Sequence, residues 1–172
     1  MRRSVLDILD TVKFIFGNLG ELRCWLATVA GLQLEAEHRR KTTFASSLQQ
    51  GLAQAEAGAG QQSDRGGVGL EEGLQYVIVT NAENPVWVFS FRWSGISTCH
   101  IITPCPCGCC RDWEVAGRLQ VPVPRLGEDR VRDTIGAGDS FIAGFLHSAS
   151  AQPDLGAAVC AGVGGASWAA VT

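Results

Sequence analysis

The sequence predicts a layered α/β fold. Apolar, β-branched runs of strand length alternate along the chain with stretches whose apolar residues recur at helical spacing. The composition agrees: 172 residues with 46% hydrophobic content are enough for one domain with a real core. A net charge of −3 with only 14 Lys and Arg offers no basic face, so no nucleic-acid partner is expected. Every apolar stretch is broken by Gly, Pro or charge before it reaches the roughly 20 residues of a membrane span, so no membrane partner is expected either. Met1-Arg2-Arg3 opens as a signal peptide does, but Asp7, Asp10 and Lys13 interrupt any apolar core behind it. These features point to a soluble cytoplasmic protein, in the cytosol with the nucleus open to it.

Taken in order, Arg3 to Thr11 carries Val5, Leu6 and Leu9 at helical spacing, and Val12 to Phe16 reads as a short strand. Gly17-Asn18 breaks that pattern. Leu19, Leu22, Leu26 and Val29 then mark a helix that Gly31 is placed to stop. From Glu35 to about residue 70 the composition shifts to Gln, Ala, Gly, Ser and charge. A helix over Lys41 to Glu56 and a linker over Gly58 to Gly69 are expected there, together forming a surface insertion. Tyr76 to Thr80 has the β-branched character of a buried parallel strand, Asn81 to Pro85 carries turn residues, and Val86 to Phe91 reads as the next strand. Arg92 to Gly117, rich in Trp, Cys and Pro, shows neither period and reads as a second insertion. Leu119 to Val123 resumes a strand. A helix from Asp139 or Ser140 to Ala151 follows, then one from Leu155 to Ala170 whose Ala and Gly suit close packing.

Chemistry concentrates in Asp133-Thr134-Ile135-Gly136-Ala137-Gly138-Asp139. Small residues between an extended segment and a helix let the backbone approach a ligand and adopt turn dihedrals that bulkier residues resist. The N–H groups opening the helix have no partner within it, and the helix dipole adds positive potential, so an anion such as phosphate fits there. A carboxylate beside an anion needs a task of its own. In phosphoryl transfer that task is to orient the acceptor hydroxyl and take its proton, while the backbone N–H groups neutralise charge on the moving phosphoryl group. Read alone, the same four residues are also a plain turn with Asp139 as N-cap.

The longer string Asp133-Thr134-x-Gly136-Ala137-Gly138-Asp139-x-Phe141-x-x-Gly144 resembles the C-terminal signature of the ribokinase-like (PfkB) family of carbohydrate and nucleoside kinases. Phe16-Gly17-Asn18-Leu19-Gly20-Glu21 is similar to its Asn-x-x-Glu motif, and Tyr76 to Thr80 to the strand before its nucleotide-binding loop. Phe16-Gly17-Asn18, Val121-Pro122-Val123-Pro124, Gly144-Phe145-Leu146 and Asp154-Leu155 look most like the adenosine kinase branch. The resemblance implies a ribokinase-like α/β/α fold and transfer of a phosphoryl group from ATP to the primary 5′-hydroxyl of a nucleoside, adenosine giving AMP in purine salvage. A ribokinase- or fructokinase-like sugar kinase and a nucleotide-binding remnant without turnover are its rivals. It further implies Asp139 as catalytic base and Gly136, Ala137 and Gly138 as anion hole. Asn18, Glu21, Thr80, Asp133 and Thr134 would line the nucleotide side. Asn18 and Glu21 would hold Mg²⁺ through its waters, and a monovalent cation would sit near Asp133 and Thr134. The partners implied are ATP and a small acceptor, adenosine or a sugar, bound by a monomer. Without the family, Asn18 and Glu21 read equally well as a helix cap and its capping-box partner.

The resemblance covers only the family's C-terminal portion. Its N-terminal half, with most acceptor-binding residues and the lid strands, has no counterpart here. The expected result is an open sheet edge, low stability and little kinase activity for this chain alone. Asn81-Ala82 stands where the family has a glycine just after the strand. Ile135 takes a position that is Asn in many adenosine kinases. Five of the seven cysteines crowd into Cys99 to Cys110, and an odd total without a secretion signal argues against a disulfide framework. With His100 they could assemble four zinc ligands, but adjacent cysteines and prolines constrain the geometry and favour an irregular thiol-rich loop. Cys24 and Cys160, alone in apolar surroundings, read as buried thiols. His38 and His147, isolated in the chain, read as solvated or cap-like rather than catalytic.

Overall fold

A computed structural model describes residues 12–31, 39–57, 75–94, 112–127 and 129–172. The expected helix over Arg3 to Thr11, the Gly58–Gly69 linker, His38 and the Cys99–Cys110 cluster lie outside the described residues. The elements run β1 (Phe14–Asn18), α1 (Leu19–Gly31), α2 (Arg39–Glu56), β2 (Gln75–Asn81), β3 (Asn84–Ser94), β4 (Asp112–Val121), α3 (Ala137–Ala151) and α4 (Leu155–Val171). The strands form one sheet in the order β1-β2-β3-β4. Only β1 and β2 are parallel, with Phe14 opposite Tyr76 and Asn18 opposite Thr80. β2–β3 and β3–β4 are antiparallel, so the sheet is mixed.

Alternation along the strands builds a core on each face. Val77, Val79, Trp87, Phe89 and Phe91 point toward α1 and α2, where Leu22, Leu26, Leu48 and Leu52 meet them. Tyr76, Ile78, Val86, Val88 and Val121 point the other way, against Phe141, Phe145, Leu155, Val159 and Val163 of α3 and α4. The result is the expected three-layer α/β/α arrangement. Among the described residues no helix is long and apolar enough to cross a membrane.

Several expectations are corrected. The stretch read as a surface insertion holds α2, which buries Ala45, Leu48 and Leu52. The stretch read as patternless contributes the end of β3 and the start of β4. Its period is hidden because the β3–β4 register shifts between Ser90 and Phe91: Phe91 faces Val115 while Ser90 faces Gly117, leaving Ala116 as a bulge. Cys24 and Cys160 are exposed rather than buried. Each sits on a helix facing away from its inward neighbours, Leu22 and Leu26 on α1 and Val159 and Val163 on α4. His147 is exposed, as expected.

Candidate functional site

The site lies where the C-terminal ends of the parallel strands meet the start of α3, the location that open α/β sheets use for ligands. β1 ends at Asn18 and β2 passes Thr80 directly beside it. Phe141 and Phe145 hold α3 against the sheet, both essentially buried. Phe145 packs edge-on to Phe14 and Phe16 of β1, each with a ring separation of 5.1 Å. Burial of one such ring is worth about 1.5–3 kcal/mol, and edge contacts add to it. These rings fix the first turn of α3 relative to the strand ends.

The turn before α3 is built from its own backbone. Asp133 Oδ1 accepts the N–H of Ile135 at 2.9 Å, and the carbonyl of Thr134 accepts the N–H of Ala137 at 3.2 Å. The N–H of Arg132 bonds the carbonyl of Ala170, tying the approach to α4. Gly136 then takes φ of +79°, a left-handed conformation that a Cβ would resist. Gly136, not Asp139, is the N-cap, and the helix opens at Ala137, two residues before the earliest expected start. Asp139 is therefore the third residue of the helix, and it is exposed. No side chain caps α3. Two other helices, α1 and α4, start differently. Asn18 and Glu21 form a reciprocal capping box on α1, each side chain accepting the other's N–H at 2.9 Å. Asp154 Oδ1 accepts the N–H of Ala157 on α4. The Thr134 carbonyl takes the N–H of Ala137, which leaves the N–H groups of Gly138 and Asp139 without a side-chain cap, and Gly138 has open space where a Cβ would be.

A cleft of about 150 Å³ adjoins this turn. It is lined by Ala137, Gly138 and Phe141 of α3 and by Thr80, Ala82 and Val86 of the β2–β3 hairpin. Val123 and the α4 residues Val163, Ala166 and Ser167 complete it. Of the residues singled out in the sequence, Thr80, Ala137 and Gly138 line the cleft; Asn18, Glu21, Asp133, Thr134, Gly136 and Asp139 do not. Val86, Val123, Phe141 and the α4 residues were not foreseen as lining. The spacing of 163, 166 and 167 marks one helical face, a signal that could have found them.

The donor set near Asn18 bears on a divalent cation. Asn18 Oδ1 and Glu21 Oε2 are both engaged in the cap, and among the described residues no three His, Cys, Asp or Glu side chains gather to hold a metal directly. An exposed carboxylate and an amide oxygen suit a hydrated hard cation held through water rather than a closed cage.

Comparison with known proteins agrees with this arrangement. The family model for pfkB family carbohydrate kinases matches residues 53–171. Its span contains the 133–139 turn and Thr80 but not Asn18 or Glu21. Solved structures match over nearly the whole chain. Adenosine kinase from Schistosoma mansoni in complex with 2-fluoroadenosine superposes with a TM-score of 0.58 at 20% identity, covering 98% of this chain and 37% of that one. Adenosine kinase from Anopheles gambiae in complex with P1,P4-di(adenosine-5) tetraphosphate gives 0.56 at 17% identity, covering 96% and 36%. The apo enzyme from Trypanosoma brucei brucei gives 0.56 at 18% identity, covering 98% and 38%. At these identities the likeness establishes the fold. This chain spans little more than a third of each structure's length. No curated protein sequence matches it significantly.

Proposed function

The chain belongs to the pfkB family of carbohydrate kinases, and we propose that its site serves ATP-dependent phosphoryl transfer to a primary hydroxyl, with adenosine as acceptor and AMP as product. One observation carries the reading: a left-handed glycine leaves the start of α3 uncapped by any side chain, with Asp139 in that same turn and an apolar cleft beside it. The cleft's 150 Å³ is well below the ~300–1,000 Å³ of a site for a whole drug-sized ligand. It suits one flat ring of a nucleotide, whose phosphates would extend toward Ala137 and Gly138.

Asp139 accepts the proton of the acceptor hydroxyl as that oxygen attacks the γ-phosphorus. The new O–P bond forms as the bond to the bridging oxygen breaks, and ADP leaves with that oxygen's electron pair. The N–H groups at the start of α3 stabilise the equatorial oxygens, which carry most charge in the transition state. Asn18 and Glu21 would hold Mg²⁺ through its waters, and the ion would offset phosphate charge. Asp133 and Thr134 act by shaping the turn, and Asp133 supplies an anionic oxygen should a monovalent cation bind there.

Adenosine is favoured by the sequence around Asn18 and Val121 and by the adenosine kinases among the structural neighbours. The family's name favours a sugar as the second reading. Purified chain assayed with ATP and adenosine, ribose or fructose distinguishes them. Asp139→Asn should lower turnover by about 10²–10⁴-fold while leaving ATP affinity nearly unchanged, because the base acts in the transition state. Equal turnover in both proteins would sink the assignment of the base. Turnover of sugars alone would replace adenosine.

A further inference from the structure

A bound polyphosphate calls for more positive charge than the cleft and the glycine turn supply. No charged side chain lines the cleft, and the carboxylates of Asp133 and Asp139 in the turn add negative charge. The start of a helix is equivalent to only about half a positive charge. A side-chain cation has to come from elsewhere, and the described side chains narrow the choice. Arg23 pairs with Glu56, and Lys13 and Arg118 are engaged. Arg125, Arg130 and Arg132 are exposed and make no side-chain bond among the described residues. All three lie on the one segment that leads into the glycine turn.

That segment holds its carboxylates against its own backbone. Asp133 Oδ1 accepts the N–H of Ile135. Asp129 Oδ1 lies 2.5 Å from where a Cβ on Gly127 would stand, in a turn closed by the N–H of Arg130 donating to the carbonyl of Gly127. Of the three guanidinium groups, that of Arg132 starts nearest the site. Arg132 directly precedes Asp133, and its N–H donates to the carbonyl of Ala170 at 2.9 Å, which anchors its backbone to the end of α4. A long side chain on a fixed backbone, one turn before Gly136, is placed to meet an anion there.

We infer that Arg132 is a phosphate-binding residue of this site, its planar guanidinium donating two N–H bonds to oxygens of a bound polyphosphate. The inference rests on the nucleotide reading above. The competing role is structural. α4 has no basic residue in its last turn, and a cation near Ala170 would complement the negative end of that helix. That role predicts a loss of stability and no change in ligand binding.

The test compares the full chain with Arg132→Gln, Arg132→Lys and Arg125→Gln. Affinities for inorganic tripolyphosphate and a non-hydrolysable ATP analogue are measured by calorimetry, alongside melting temperature. Arg132→Gln should bind both ligands about three- to tenfold more weakly, as for loss of one exposed charge-assisted contact. Its melting temperature should stay within about 2 °C. Arg132→Lys should recover part of the affinity, since it keeps the charge and loses the fork. Arg125→Gln should bind as the wild type does. Unchanged affinities in Arg132→Gln, with or without a lower melting temperature, overturn the inference and leave the nucleotide reading standing. So does a loss that Arg132→Lys leaves unrecovered or that Arg125→Gln matches. A wild-type chain that binds neither ligand overturns the nucleotide reading and this inference with it.

Discussion

Asn18 and Glu21 show how one pair of side chains can carry two expectations together. Their reciprocal bonds satisfy two of the N–H groups at the start of α1, which is the work of a capping box. The proposed second task, ordering waters around Mg²⁺, would fall to the exposed carboxylate without breaking the cap. Glu21→Gln separates the two, because glutamine caps as glutamate does but carries no charge. The melting temperature should stay within about 2 °C, corresponding to a change below ~0.5 kcal/mol. The gain in ATP-analogue affinity on adding Mg²⁺ should shrink severalfold. Titration with and without Mg²⁺ checks it, and an unaltered Mg²⁺ response would leave Glu21 a cap alone. Asp139 reads differently from its motif: as a bare string it could have been an N-cap, but Gly136 holds that place. The carboxylate is therefore spared from capping.

At the scale of elements, the site depends on how closely α3 and α4 approach. A Cβ on Gly144 would lie 2.6 Å from the carbonyl oxygen of Ala161, and one on Gly165 would lie 2.7 Å from that of Ser140. These are backbone atoms, so a side chain there must push the helices apart rather than turn aside. Gly144→Ala gains about 1 kcal/mol of helix propensity, but overpacking costs about 1–3 kcal/mol and shifts the turn before α3 with the helix. Net destabilisation of up to about 2 kcal/mol is expected, lowering the melting temperature by up to roughly 8 °C. A thermal melt checks it; a more stable variant would mean that the helices separate freely. The small residues of α4 announced this packing in the sequence. The extent of β4 was not legible, because the bulge at Ala116 interrupts the alternation that identifies a strand.

At the scale of the molecule, the chain corresponds to little more than a third of the adenosine kinase structures it matches. Ile135 and Trp168 are large apolar residues left 85% and 70% exposed, and among the described residues no strand pairs with the outer edge of β1. Residues 1–172 alone should therefore phosphorylate adenosine slower than a full-length relative by about a hundredfold or more, since an acceptor not held in line loses the advantage of orientation. A coupled ADP-release assay at matched concentrations measures this, and comparable rates would refute it. The sequence alone determined the glycine turn before α3, the Asn18–Glu21 capping box and the alternation of strands and helices. Each depends on residues within a few positions of one another, where turn chemistry and periodicity act. Only the tertiary structure decided that the sheet is mixed and that α2 joins the core. It alone joined Thr80, Val123, Gly138 and Val163 around one cleft. Those features arise from pairing and packing between segments far apart in the chain, which no local pattern encodes.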